Sequence, residues 1–512
     1  MKTNFFIPAM IFSIILLMLS CTKDFEKINT DPNNVLSVAP QQLLAPALRA
    51  SLNYNMIRNR NFNNELMQVT VDMSDGDSRV FRYDYRSTWS DYLWNGIYIE
   101  LTNFKDMYHI AKGDSTQPQT SYMGISLILQ SWLYSILTDT YGDVPFLQAN
   151  SARKEYGDVK EPAFDSQKDI YLGLFHNLEQ ANQLLKAGQP VDTKSDPIYH
   201  GDVAKWRRFG NSLYLRLLLR VSAKAELASA ITGKIKEIVE TSSSEYPVFT
   251  NNNESAILKW TGTGAYISPY VNGVRAQDFR SPGIAEFFID NLKYWNDPRL
   301  DGDNYGIDGI SRWGIAKSGG EYAGTESGYP VGADITRGSY FYATDQAAAI
   351  TMQSEPLSGM MMNYAELQFI LAEAAVKGWI SGQAESYYKE GVKNSITLWL
   401  PEWNVDIDTY LATPASSGKQ WTETASVNDK MEKIHVQKYY ALFFADLQQW
   451  FEHRRTGHPV LPKGSGLENN GVMPARMVYP VYVQSTNPTN YKRAVQQQGP
   501  DQIYTQVWWQ KP

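Results

Sequence analysis

The chain has 512 residues, with 47 Lys and Arg against 54 Asp and Glu for a net charge of −7, and a single cysteine. The acidic balance argues against nucleic acid, since binding a phosphate backbone needs a basic face. The lone thiol excludes a disulfide framework, while 43% hydrophobic and 13% aromatic residues supply ample material for a sizeable core.

Residues 1–20 read as a secretory leader. Lys2 supplies the charge, Phe5 to Leu19 the short apolar run, and Ser20 the small residue before the cleavage point. The run is too short for a comfortable membrane span. Cys21 follows directly, as in a bacterial lipobox, although Met18 and Leu19 depart from the usual residues of that motif. Cys21 is therefore expected to carry lipid, and acyl chains at roughly 0.8 kcal/mol per buried methylene would anchor it firmly. Thr22 to Lys27 reads as a charged tether, and a lysine followed by acids resembles an export signal to the outer face of the outer membrane.

The usual ~150 residues per domain would cut the chain into about three. No Ser/Gly/Pro linker, low-complexity tract or long charge run interrupts it, so residues 21–512 are expected to form one domain. Its helical scaffold should lie mainly within 40–240 and 360–450, with a loop-rich insertion at about 242–360.

Helical periodicity recurs along the scaffold. Leu43–Tyr54 and Trp89–His109 come first, the latter with Leu93, Ile97, Leu101, Phe104 and Tyr108 on one stripe. Tyr122–Leu137 is apolar almost all round and belongs at the centre. Ile170–Leu185 is amphipathic. Val203–Val221 carries Val203, Trp206, Phe209, Leu213, Leu217 and Val221 on one face, Arg216 and Arg220 on another, and Asp202 as N-cap. Tyr364–Lys377 starts at Asn363 and Glu366 with capping-box spacing and stops at Gly378. Gln383–Leu398 completes a pair whose small and aromatic spacing matches a tetratricopeptide helix pair. Lys430–Phe444 is the last helix, and the cluster Glu452–Arg455 beyond it reads as a solvated or partner-facing patch.

Between Ser242 and Gly359 the helical signal fades into glycine, proline and aromatic residues. Such a long irregular segment is usually functional or disordered, and its aromatic richness argues against disorder. With 32 Tyr and 14 Trp in the chain, some rings are available to stack on sugars, although core packing is the commoner role of any one ring.

Several segments in this order resemble the SusD/RagB family of outer-membrane nutrient-binding lipoproteins, and its SusD-like branch in particular. They are Asp24–Asn33, Tyr141–Phe146, Gly201–Trp206 leading to Asn211–Arg216, and Asn296–Leu300. Tyr364–Leu367, Ala372–Ala374, Asn490–Tyr491, Asp501 and the closing Val507–Trp509 complete the set. The resemblance implies a mainly α superhelical scaffold of tetratricopeptide-like helix pairs bearing a large irregular, loop-rich ligand face. It also implies a lid on a SusC-like TonB-dependent outer-membrane transporter, anchored by lipid and facing the cell exterior, that captures an oligosaccharide or an oligopeptide. A structural lipoprotein of that complex, without its own ligand, is the third reading. Composition favours the glycan slightly.

Family members bind ligand through the loop after the first helices and the irregular middle of the chain. Chemistry and position within those regions single out Asp72, Arg79 and Trp89, then Trp260, Tyr266, Tyr270, Trp313 and Tyr322. The aromatics would stack on the ligand, while Asp72 and Arg79 would hydrogen-bond to hydroxyls or termini.

No enzyme is expected. The six histidines show no HExxH spacing, no Gly-x-Ser-x-Gly elbow occurs, and the mature domain has no thiol. A paired-carboxylate hydrolase stays open, because side-chain separations are not written in a sequence. No cofactor is expected beyond structural calcium. For that, Asp301, Asp303 and Asp308 start like an EF-hand, but Arg312 stands where the bidentate glutamate belongs. Asp72, Asp75 and Asp77 form a second acidic loop. Ordinary Asp/Gly turns explain both as well.

Overall fold

The computed structural model describes residues 38–113, 118–346, 350–414 and 418–511. The leader, Cys21, the tether and the segment Asp24–Asn33 lie outside them. Pro40–Pro512 forms one compact unit. Among the described residues, no helix is long and apolar enough to cross a membrane.

The helices expected from periodicity are present. They are α1 (Pro40–Arg58), α2 (Trp89–Gly113), α3 (Thr120–Tyr141), α4 (Gln167–Lys186) and α5 (Val203–Arg220). Each packs on the next in the order α1, α2, α3, α4, α5. The central α3 is buried from Ser121 to Tyr141, as its uniform apolarity requires. Its serines spend their hydroxyls on backbone: Ser126 donates to the Phe104 carbonyl at 2.5 Å and Ser131 to Leu127 at 2.7 Å. Asp202 caps α5 by accepting from the Lys205 N–H at 3.1 Å.

After a nine-residue helix the periodicity did not reveal, α6 (Glu286–Tyr294), the scaffold resumes. It continues with α7 (Tyr364–Val376), α8 (Ala384–Thr397) and α9 (Val427–Ala441). Asn363 caps α7 through the Glu366 N–H at 2.9 Å, and Gly378 stops it at φ +70°. The second half of the capping box is not made. Glu366 instead receives Arg216 of α5 in a fork, with both bonds at 2.6 Å and both side chains 1% exposed. Two further helices, α10 (Gln448–Thr456) and α11 (Pro488–Gln498), follow a sharp break at Phe444 and Asp446, where φ turns positive.

The insertion is tied down by three short antiparallel ladders. β1 (Thr70–Val71) pairs with β3 (Gly283–Ile284), placing Thr70 opposite Ile284. β2 (Ala256–Leu258) pairs with β6 (Gly359–Met362), and β4 (Ile315–Ala316) with β5 (Tyr340–Phe341). Rings from the insertion join those of the scaffold in one hydrophobic cluster, so the irregular segment is part of the core.

The cluster Glu452–Arg455 corrects the sequence reading. It lies inside, on α10, with Glu452 6% and Arg455 3% exposed at the side chain. Glu452 takes Lys438 at 2.6 Å, Arg455 at 2.8 Å and Arg220 at 3.2 Å, while Arg455 also forks onto Glu373 at 2.7 and 2.6 Å. Charged side chains tolerate such burial only when paired. Arg216 and Arg220 are buried with their partners for the same reason.

Gly96 shows how closely α2 approaches α1. A Cβ at this position would overlap the ring of Tyr54. Gly96→Ala should therefore destabilise by about 1–3 kcal/mol through overpacking, read as a lower urea midpoint. An unchanged midpoint would mean that the two helices separate freely.

Candidate binding cleft

Where α1 ends, the backbone loosens into a π turn over Asn59–Asn63 and closes with one helical turn, Asn64–Leu66. Such π turns are frequent at functional sites. This one sets Arg60 and Glu65 on the wall of a cleft of about 260 Å³. The loop after β1 contributes Asp72, Ser78 and Arg79, the first residue of α2 contributes Trp89, and the insertion contributes Asp278.

The loop is held from both ends. Arg82 donates to the Tyr329 carbonyl at 2.7 Å and the Gly76 carbonyl at 2.8 Å, and pairs with Asp75 at 3.0 Å. Asp75 also accepts from the Gly332 N–H at 2.8 Å, and that bond, ahead of Arg82, lowers its pKa. Val71, Phe81, Ala285 and Tyr329 form a small core of their own beneath it.

Within the cleft, Asp72 accepts from the Ser74 N–H at 2.9 Å and hydroxyl at 2.7 Å. Its other oxygen takes Arg79 at 3.1 Å, with about a third of each side chain exposed. The Arg79 Nε has no partner among the described residues. Arg60 donates to the Asp278 carbonyl, and burial lowers its pKa. Trp89 is half-buried, with the Arg58 guanidinium 4.7 Å from its ring centre. Glu65 is 9% exposed, and burial in the first place, then Asp72, pushes its carboxyl up to about 8. A strongly shifted group in a cleft is a candidate functional residue on physical grounds.

Thus Asp72, Arg79 and Trp89, chosen from the sequence, come together. The choices from the insertion divide differently. Trp260 (2% exposed), Tyr270 (1%) and Trp313 (0%) are core, with no ring face left for a ligand. This corrects their assignment as stacking residues. Tyr270 donates to the Met56 carbonyl at 2.9 Å, which fastens the insertion to α1. Tyr266 and Tyr322 are half-buried and neither lines the cleft; Tyr322 donates to the Leu300 carbonyl at 3.0 Å.

Arg60, Glu65 and Asp278 were missed by sequence reading. A signal existed for the first two: the stretch Asn59 to Glu65 is almost wholly polar yet directly continues the helical run of α1.

The acidic loop at Asp301 does not gather. Asp301 caps a short helical turn by accepting from the Asp303 and Asn304 N–H groups at 3.1 and 2.9 Å, while Asp303 and Asp308 point into solvent. Among the described residues, the one group spaced to hold a metal ion is Glu373, His435 and Glu452. Its carboxylates are already taken by Arg455, Lys438 and Arg220.

Two larger recesses exist. One, of about 580 Å³, is lined mainly by Trp94, Tyr98, Phe164 and Tyr482, between α2 and the segment just before α11. The other, of about 670 Å³, surrounds the Arg312–Glu355 pair, whose neighbour Trp399 is buried. Of the three, the cleft alone sets unlike charges around a half-open tryptophan. That combination suits a ligand with apolar ring faces and many hydroxyls, because sugars stack on aromatics and hydrogen-bond at their edges.

Residues 32–480 match the model of a family described as SusD-like, starch-binding associating with outer membrane. A SusD homologue from Bacteroides uniformis is 22% identical, with a TM-score of 0.75 over 93% of this chain and 100% of that one. A chitin-binding SusD homologue from Flavobacterium johnsoniae is 21% identical, with a TM-score of 0.74 over 92% and 98%. A further chitin-binding protein is 24% identical, with a TM-score of 0.73 over 93% and 100%. At these identities the structures show a shared fold: a mainly α, tetratricopeptide-like scaffold with a loop-rich face. No curated protein matches the chain.

Proposed function

This chain belongs to the SusD-like family, an outer-membrane-associated binding family, and from that premise we propose that it captures a saccharide in the Asp72–Arg79 cleft and delivers it to a TonB-dependent transporter. In this reading Cys21 carries the lipid that holds the protein on the outer membrane, facing outward. The protein binds and releases its ligand without chemically altering it.

The observation that supports the saccharide is the state of the cleft charges. Asp72 and Arg79 are paired with each other at 3.1 Å, and Arg60 is engaged with the Asp278 backbone. A peptide site would present charges ready to capture termini. Paired charges instead offer hydroxyl-sized donors and acceptors beside the Trp89 ring. Starch-binding and chitin-binding relatives make malto- and chito-oligosaccharides the natural first probes.

Titration calorimetry with maltoheptaose and chitohexaose tests this. One of them should bind, and Trp89→Ala should weaken it about 30-fold, the effect of losing a hot-spot aromatic of about 2 kcal/mol. An unchanged affinity in the variant would remove the cleft as the site. Co-purification of a barrel with the lipidated protein from gently solubilised outer membranes tests the transporter partnership, and absence of any barrel would argue for a free-standing binder.

A further inference from the structure

Three acidic residues line the cleft, and the carboxylates of two are held by arginine. Asp72 takes Arg79 at 3.1 Å, and Asp278 takes Arg275 at 2.7 and 3.1 Å. Glu65 is different. Its side chain is nine-tenths buried, and the backbone N–H of Phe81 acts on it as a hydrogen-bond donor. Among the described residues, no cation pairs with it. Arg60 and Arg79 lie near enough to act on it through space, but Arg60 donates to the Asp278 carbonyl and Arg79 to Asp72.

An unpaired carboxylate is expensive to bury, so the group takes up a proton instead. Burial contributes most to this and the neighbouring Asp72 charge adds to it, with the result that the carboxyl titrates at about 8. The Phe81 N–H uses an acceptor position on Glu65. The hydroxyl of the neutral acid is a donor left for whatever enters the cleft.

Resting on the saccharide reading above, we propose that Glu65 is the specificity-determining residue of the cleft: its carboxyl donates one hydrogen bond to a neutral oxygen of an uncharged saccharide. A hydroxyl, a ring ether or an acetamido carbonyl can accept that bond. Asp72 and Asp278 already place two acidic residues on the cleft wall, so an acidic group on the ligand is disfavoured. Ionisation of Glu65 removes the donor and adds a repelling charge, so affinity falls as pH rises through the titration of this group.

The experiment pairs wild type with Glu65→Gln, whose amide donates at every pH. Affinity for whichever of maltoheptaose and chitohexaose binds is measured by calorimetry at pH 6.5 and 9.5. Wild type should weaken about tenfold between these values. Glu65→Gln should bind at pH 6.5 within about threefold of wild type and stay flat, which also separates Glu65 from every other group titrating in that range. Ligand-free melting is recorded over the same interval, and the stability of wild type relative to Glu65→Gln should fall as pH rises, since a raised carboxyl pKa stabilises the fold only while the group keeps its proton.

A stability difference between wild type and Glu65→Gln that does not change with pH would overturn the neutral acid whatever the ligand, because buried lysines such as Lys105 and Lys419, lowered to about 8, stabilise both proteins alike as pH rises. A pH-dependent melt with pH-independent binding would overturn the donor role while leaving the saccharide site standing. Failure of both sugars to bind at pH 6.5 would overturn the saccharide reading, and the ligand part of this proposal with it.

Discussion

Replacing Glu452 with alanine should lower the unfolding free energy by about 3–5 kcal/mol, as expected when one member of a buried ion network is removed. Three cations close on this carboxylate: Lys438 at 2.6 Å, Arg455 at 2.8 Å and Arg220 at 3.2 Å. Burial alone would raise its pKa, but Arg455, then Lys438 and Arg220, together hold it well below the usual carboxylate range. Truncation leaves those cations in a dry interior. Arg455 keeps Glu373 and Arg220 keeps Asp139 at 3.3 Å, but Lys438 loses its only ion pair among the described residues. A loss of this size is a large fraction of the 5–15 kcal/mol that typically holds a domain together. The contrasting substitution is Lys186→Ala, whose 2.5 Å pair with Glu245 is half exposed on both sides. Solvent screening makes such pairs weak, so its urea midpoint should not move. Equal midpoint shifts in the two variants would sink the argument that burial decides the effect.

Trp313→Ala should cost about 3–5 kcal/mol, the range for truncating a buried large aromatic. The indole is fully buried, with Phe443 at 5.2 Å, Phe288 at 5.6 Å and Trp399 at 5.8 Å between ring centres. The Arg299 guanidinium lies 4.5 Å from its centre. Alanine would leave a cavity between the insertion, α6 and the α9–α10 break. Under conditions where the variant stays folded, its affinity for sugar should match wild type, because this ring is fully buried and does not line the cleft. Trp89→Ala should behave in the opposite sense, costing less stability than Trp313→Ala because its ring is only half-buried, and losing ligand. Trp313→Phe offers a finer test: it removes an indole N–H that has no acceptor among the described residues. The loss should then be smaller than for alanine, since an unsatisfied buried donor is itself a cost of about 1–3 kcal/mol. Loss of binding by Trp313→Ala at unchanged stability would restore this residue to the site.

How much of this was legible in the sequence depended on the range of the interactions involved. The scaffold helices were found to within a few residues, because a 3.6-residue apolar period and caps such as Asp202 and Asn363 are local signals. The break at Phe444–Asp446 and the inward turn of α10 were not legible. They depend on a carboxylate at Glu373 and an arginine at Arg220 that lie far off along the chain. The same holds for the cleft. Asp72, Arg79 and Trp89 lie within eighteen positions of one another and could be chosen together, whereas Asp278 joins them through the β1–β3 ladder.

The sequence by itself determined the helical scaffold, the family to which the chain belongs and the loop that carries half of the cleft. All of these are written in periodicity, capping residues and short ordered segments. Only the tertiary structure decided which aromatics are surface and which are core. Between Ser242 and Gly359 no period marks an inward face, so Trp313 and Tyr322 read alike until long-range packing buries one and leaves the other half open. It also decided the surroundings that push the Glu65 carboxyl up. A glutamate in sequence is an ordinary acid. Burial in the first place, then the Asp72 charge, favours its neutral form.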